Sequence, residues 1–223
     1  MNLRKSNSYR AKKKKDKREK SKYDKQLLEK GYCDLDVWNF YNWFIEKASP
    51  MLKELADNHM GFPTSLFEEY YELKKDELDI ELESLYYSTE DEKTKMQQEL
   101  AAEWCDERWT GILNRMVFLL DELDDDKCSK KNPYADEWWQ YHLKFDEKYP
   151  DKDVLKSAEE LEEEKKKKLY RMVTPSADPD FGKEYDEISK KMVEAEREIF
   201  SYKDSCKNEF MDLFKKYFWS LWD

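Results

Sequence analysis

Apolar side chains return every three or four residues along most of the chain, and strict alternation is rare, so the pattern predicts helices rather than strands. After Gly31, Asp34 offers an N-cap for a helix beginning at Leu35, in which Trp38, Tyr41, Ile45 and Ala48 share one stripe and Phe40, Trp43 and Phe44 widen it. A helix apolar around so much of its circumference is expected to be central. Ser49-Pro50 predicts a kink or a fresh start before the stripe continues through Met51, Leu52 and Leu55 to about Asn58. Gly61 stands where a C-cap belongs, and Phe62-Pro63 forces an extended exit. Thr64 or Ser65 then caps a helix carrying Leu66, Tyr70 and Leu73, which Leu78, Leu82 and Leu85 prolong.

Ser88-Thr89-Glu90 reads as the cap of the strongest helix, 90–123, where Leu100, Trp104, Ile112, Met116, Leu119 and Leu123 form a stripe with Trp109, Leu113, Val117 and Leu120 beside it. Asp121 to Lys131 reads as a polar surface loop. Asn132-Pro133 opens a short aromatic helix with Trp138, Trp139, Tyr141 and Phe145, closed by Tyr149-Pro150. Residues 151–172 predict a charged helix with Glu before Lys at i,i+4. The last helix, 185–222, carries Ile199, Tyr202, Cys206, Phe210, Leu213, Tyr217 and Leu221 on one stripe, broadened by Phe214 and Phe218, and is expected to dock into the core. The simplest fold is all-α: an antiparallel bundle of the three long helices 35–58, 90–123 and 185–222 with shorter helices around it.

Composition narrows the function classes. Of 223 residues, 42% are charged and 15% aromatic, which separates the chain from charge-rich disordered sequences and predicts an aromatic-heavy core. Four Gly and six Pro argue against a sandwich, a barrel or a Gly-rich phosphate loop. The net charge of −11 divides unevenly: residues 1–30 hold 13 Lys/Arg against 4 Asp/Glu, whereas 31–223 hold 28 against 48. The reading is a basic arm, 1–30, on a single acidic domain, 31–223. The arm would attract nucleic acid, anionic membrane or the acidic body itself, and the body would repel the first two.

Cys33, Cys105, Cys128 and Cys206 form no Cys-x-x-Cys pair, which points to inert thiols in a reducing cytoplasm. No signal peptide is predicted and no run of about 18 apolar residues occurs, so neither secretion by that route nor a membrane partner is expected. His59 and His142 lack zinc or di-iron spacing, and His59 reads as a helix C-terminal dipole partner. The acidic run from Asp121 to Asp126 lacks the EF-hand glycine and reads as a solvated loop rather than a cation site. Asp34 and Asp36 are explained by the favourable field of a helix start. With no nucleophile elbow or nucleotide-binding loop, no metal or cofactor is called for and a non-enzymatic protein is expected.

Three sequence blocks carry a resemblance. Gly31-Tyr32, Asp34, Asp36 and Trp38-Asn39 lead to Leu52, Leu55-Ala56, Asn58 and Gly61-Phe62-Pro63; Glu103-Trp104 leads to Ile112-Leu113 and Met116; Leu213-Phe214 leads to Lys216-Tyr217-Phe218 and Leu221-Trp222. Together they resemble a diverse family of small proteins encoded by tailed bacteriophages, over about a third of the chain. The resemblance implies an α-helical phage accessory protein. The long segment 64–100 and the Lys-rich arm depart from the family pattern.

The aromatic surplus gives the functional expectation its chemistry. Adjacent pairs such as Trp138-Trp139 and Tyr70-Tyr71 cannot both point inward on a helix, and exposed Trp and Tyr anchor interfaces and stack on bases. The leading expectation is a binding protein of the host cytosol that counters host defence by sequestering a small nucleotide signal or a host protein. Trp38, Trp104, Trp138 and Trp139 are the stacking candidates, and Arg108, Arg115 and Arg171 the phosphate candidates. The first alternative is a nucleic-acid or nucleoprotein accessory factor docked through Arg10, Lys12, Lys13, Lys14, Lys15, Lys17 and Arg18. The second is a virion-associated structural protein, and a homo-oligomer is compatible with each.

Overall fold

A computed structural model describes residues 20–87 and 89–222, and every regular element among them is helical. The chain is all-α. Helix α1 covers 20–30 and closes on Gly31, whose φ of +79° places its N–H on the Leu27 carbonyl at 2.9 Å, a left-handed ending that glycine adopts without strain. The lysines and arginines of 1–19 lie outside the described residues.

The helix expected from Leu35 to Asn58 is two helices, α2 (Asp34–Trp38) and α3 (Phe40–Asn58), broken at Asn39 rather than at Pro50. Asn39 has left helical geometry (φ −125°, ψ 47°), whereas α3 passes through Pro50. Proline costs a helix one hydrogen bond, and the tertiary burial of Ile45, Ser49, Leu52 and Ala56 on the same helix outweighs that loss. The cap of α2 is Cys33 rather than Asp34, with the Cys33 N–H donating to Asp36 Oδ2 at 2.7 Å. Asp34 instead accepts from Lys22 and Gln26 and so ties α1 to α2; the Gln26 hydrogen bond, then Lys22, hold its carboxyl below the usual range.

Helix α4 (Ser65–Lys74) ends well before Leu85. From Leu78 to Glu83 apolar and acidic residues alternate with a period of two, and the chain resumes only as a 3-10 turn, Leu82–Leu85, that buries Leu85. Helix α5 (Glu92–Leu123) is capped by Asp91, whose carboxylate accepts from the Thr94 N–H at 2.8 Å, three residues beyond the Ser88 expected to open the cap. Helix α6 covers Ala135–Lys148. The charged helix expected over 151–172 is shorter: a 3-10 turn at Lys152–Leu155 precedes α7 (Ala158–Lys167), started by the Ser157–Glu160 capping box and stopped by left-handed Lys168. Helix α8 (Gly182–Tyr217) is followed by a 3-10 turn, Phe218–Ser220.

These elements form two compact units: 1–126 with 210–223, and 127–209. In the first, α3 and α5 pack antiparallel, since Ser49 Oγ donates to Asp121 Oδ1 at 2.8 Å near one end and His59 Nε2 meets Thr110 Oγ1 at 2.8 Å near the other. The core of this unit is the α5 stripe, in which Ala101, Cys105, Trp109, Leu113, Met116, Leu119 and Leu120 are at most 1% exposed. Residues 210–217 run beside it, with Phe210 and Phe214 against Phe44 and Tyr217 against Trp109 at ring separations of 5.3 to 6.3 Å.

The second unit is held differently. Phe145, Tyr185 and Ile188 are buried, and the unit also holds two polar junctions. Lys148 Nζ lies 2.8 Å from buried Asp178 and 2.6 Å from Asp180, and Lys156 Nζ lies 2.9 Å from buried Glu164 and from Asp153. Gly182 passes so close to the Ser176 carbonyl that a Cβ there would stand 2.6 Å from its oxygen.

Candidate functional site: exposed aromatic surfaces of the first unit

Two surfaces of the first unit expose aromatic side chains that its core does not use. One follows the C-terminal end of α3. His59 terminates that helix: its Nδ1 lies 3.0 Å from the Gly61 carbonyl and its Nε2 binds Thr110, so the ring is locked on both sides rather than acting only on the helix dipole. The chain then turns through Gly61-Phe62 into buried Pro63, and Phe62 packs edge-on against Phe67. Met60, Gly61, Phe62, Pro63 and Thr64 form one wall of a cleft of about 460 Å³, and Trp219, Ser220 and Trp222 form the other. Met60, Trp219 and Trp222 are 91%, 85% and 75% exposed. The C-terminal segment is expected to dock into the core; Tyr217 does, while Trp219, in the 3-10 turn that follows α8, remains outside.

The other surface precedes α3. Tyr32, Leu35, Val37, Trp38, Phe40 and Tyr41 are all exposed, contrary to the central position expected for this stretch, whose apolar band becomes buried only from Ile45 onward. Within it, Tyr32, Asp36, Val37, Phe40 and Trp43 line an open, almost wholly apolar hollow of about 200 Å³, with the Phe40 and Trp43 rings stacked on each other 5.6 Å apart.

The residues anticipated for nucleotide binding divide between the two units. Trp38 is exposed on α2. Trp104 and Arg108 stand one turn apart on α5, but Trp104 packs on Tyr70 and the Arg108 guanidinium is held by Glu69 through Nε at 3.0 Å and Nη2 at 2.8 Å. Arg115 lies over the Phe118 ring, 5.0 Å from its centre. In the second unit Trp138 packs on His142 at 4.1 Å, beside exposed Trp139, and burial lowers the His142 pKa. Arg171 faces Glu160 and Glu163 and uses its backbone N–H on Glu164. Trp219, Trp222 and Met60 are not among the sequence candidates; for the two tryptophans the signal lies in their positions off the stripe that ends at Tyr217 and Leu221, and for Met60 the sequence carries none.

Cys105 is fully buried and its thiol is pushed up to about 12, by burial first and by Glu69 second, which leaves it a poor nucleophile. All four cysteines are buried and unbridged. Among the described residues no group of three or more His, Cys, Asp or Glu side chains is arranged to hold a metal ion, and no helix is long and apolar enough to cross a membrane. No known protein family, curated protein or solved structure matches the chain.

Proposed function

We propose that the protein is a non-enzymatic phage accessory protein that acts by occupancy, sequestering a host defence protein through the exposed aromatic side chains of its first unit. One observation carries this reading: two sequence blocks far apart in the chain, Gly61-Phe62-Pro63 and Leu221-Trp222, both belong to the phage resemblance, and residues from both line the same cleft. Large, rigid, exposed Trp side chains are the type that anchors protein interfaces. The protein-binding form is favoured over the nucleotide-binding form because Arg108, the arginine nearest a tryptophan on α5, already spends its fork on Glu69. Affinity capture from host lysate tests it. The native chain should retain a stoichiometric partner that the Trp219→Ala/Trp222→Ala variant loses; capture of the same proteins by both would sink the assignment.

The charge of residues 1–30 supports a second reading, nucleic-acid docking through Arg10, Lys12 to Lys15, Lys17 and Arg18. Of the lysines beyond them, Lys22 and Lys30 already face Asp34 and Lys25 faces Glu29. Nucleic-acid affinity that stays constant between low and high salt would exclude this reading.

A further inference from the structure

We propose that the exposed face of α8 from Val193 to Asp204 is a docking surface for a second copy of this chain, set antiparallel across a two-fold axis that passes between Phe200 and Ser201. The inference goes beyond the proposed function and does not depend on it.

The face presents apolar surface that folding leaves unused. Phe200 is 72% exposed, Val193 is exposed two turns before it, and together with Glu196, Arg197, Ser201 and Asp204 they line one open strip of the second unit. At 100° per residue, buried Ile188 and Cys206 lie about 120° around the helix from Phe200, so burial uses another side of α8.

Charge selects the occupant. Arg197 and Asp204 stand on one flank of Phe200, within about 60° of it, and Glu196 and Lys203 stand on the other flank within the same angle. A two-fold axis that reverses the helix direction sets each flank against its own copy. With that axis between residues 200 and 201, Arg197 is level with Asp204 of the second copy, and symmetry repeats the pair on the far side of the two Phe200 rings. Glu196 comes within about 3 Å of the level of Lys203 of the second copy, two residues of helical rise. Opposite charges therefore surround one aromatic centre, an arrangement that fixes register and orientation.

The existing neighbours of these groups offer little competition. Arg197 Nη1 lies 3.4 Å from Glu194, and Asp204 pairs with Lys207; exposed i,i+3 pairs of this kind contribute little. Asn132 donates to Glu196 Oε1 at 2.8 Å and holds that carboxylate beside the strip. Lys207 decides against a parallel pair. It lies two turns beyond Phe200 on the same line of the helix, so a parallel partner would set it against its own copy, whereas the antiparallel partner sets it level with Glu194.

The test is sedimentation velocity on the full chain. A strip of about three turns is at the small end of protein interfaces, so the native chain should be monomeric at about 1 µM and mainly dimeric at about 1 mM. Phe200→Ser, at an exposed position, should weaken the dimer at least about tenfold. Arg197→Asp and Asp204→Arg should each weaken it about tenfold by setting like charges face to face. The double variant Arg197→Asp/Asp204→Arg should return to within about threefold of the native chain, because antiparallel pairing merely exchanges the two charges. In a parallel pair the same double variant would face Glu196 and Lys203 with like charges and would not recover. A chain still monomeric at about 1 mM overturns the proposal and leaves the strip to a different protein. A dimer unchanged by Phe200→Ser, or one lost instead in Trp219→Ala/Trp222→Ala, places the contact elsewhere and overturns it too. A double variant no better than the single ones overturns the antiparallel register.

Discussion

The two units solve the problem of stability with different materials. The first buries a continuous apolar stripe of α5 together with Glu122, while its other described acidic residues are at least partly exposed, where salt and water weaken their interactions. The second buries fewer large apolar side chains and places Asp178 and Glu164 inside against lysines. A core of the first kind depends on shape and volume, whereas junctions of the second kind depend on which groups are charged. The contrast also bears on function. The first unit has enough aliphatic and aromatic burial on α5 to leave Trp38, Trp219 and Trp222 outside, so these side chains are surplus to folding.

Experiments that perturb one material at a time separate the units. The largest effect is expected for Trp109→Ala, which empties the space between α5 and Tyr217 at a residue 1% exposed; about 3–5 kcal/mol of stability should be lost in denaturant unfolding. A loss below 1 kcal/mol would mean that this core is less dense than described. Gly182→Ala should cost about 1–3 kcal/mol by driving a methyl group into the Ser176 carbonyl, with the loss of hydrogen-exchange protection starting in 127–209.

Acid should act more selectively. Lys156 and then the Arg171 N–H hold Glu164 below its ordinary 4.5; burial pushes Asp178 up, but Lys148 and the N–H groups of Asp180 and Phe181 outweigh it and leave it below 3.8. Carboxyls with depressed folded pKa values contribute stability that is complete above their unfolded values and disappears as pH falls through the folded ones. Between pH 5 and 2 the second unit should therefore lose hydrogen-exchange protection before α5 does, and the reverse order would contradict the division drawn here. The smallest change is expected for Trp219→Ala/Trp222→Ala, which should keep stability within about 0.5 kcal/mol per site while removing the captured partner.

Helices whose stripes end up buried were legible from the sequence. The period of α5 and the punctuation around α6 by Asn132-Pro133 and Tyr149-Pro150 correspond closely to the observed elements. The misplaced boundaries have local causes. Pro50 marks a break by propensity alone, which the burial of Ile45 and Leu52 overrides, and the real break at Asn39 has no proline or glycine to announce it. The alternation from Leu78 to Glu83 is present in the sequence, but Leu78, Leu82 and Leu85 also match a helical spacing and so conceal it. At the candidate site Trp38 stands out in the sequence and is exposed, whereas Trp219 and Trp222 are masked by their neighbours on the stripe that ends at Tyr217 and Leu221. Neither the 200 Å³ hollow beside Phe40 nor the Arg108–Glu69 pairing was legible, because each depends on residues that meet only after α2, α3, α4 and α5 have packed.

The first unit is discontinuous, taking Phe210 and Tyr217 from beyond the 127–209 interval, and this has a consequence for biosynthesis. On the ribosome, α3, α4 and α5 emerge early but cannot seal Phe44 and Trp109 until α8 has been translated to its end, whereas all of 127–209 is available sooner. The second unit can mature while the first still waits for its closing helix. The cleft lined by Trp219 and Trp222 forms only after α8 has been made, so a chain terminated before Trp219 would lack one of its walls.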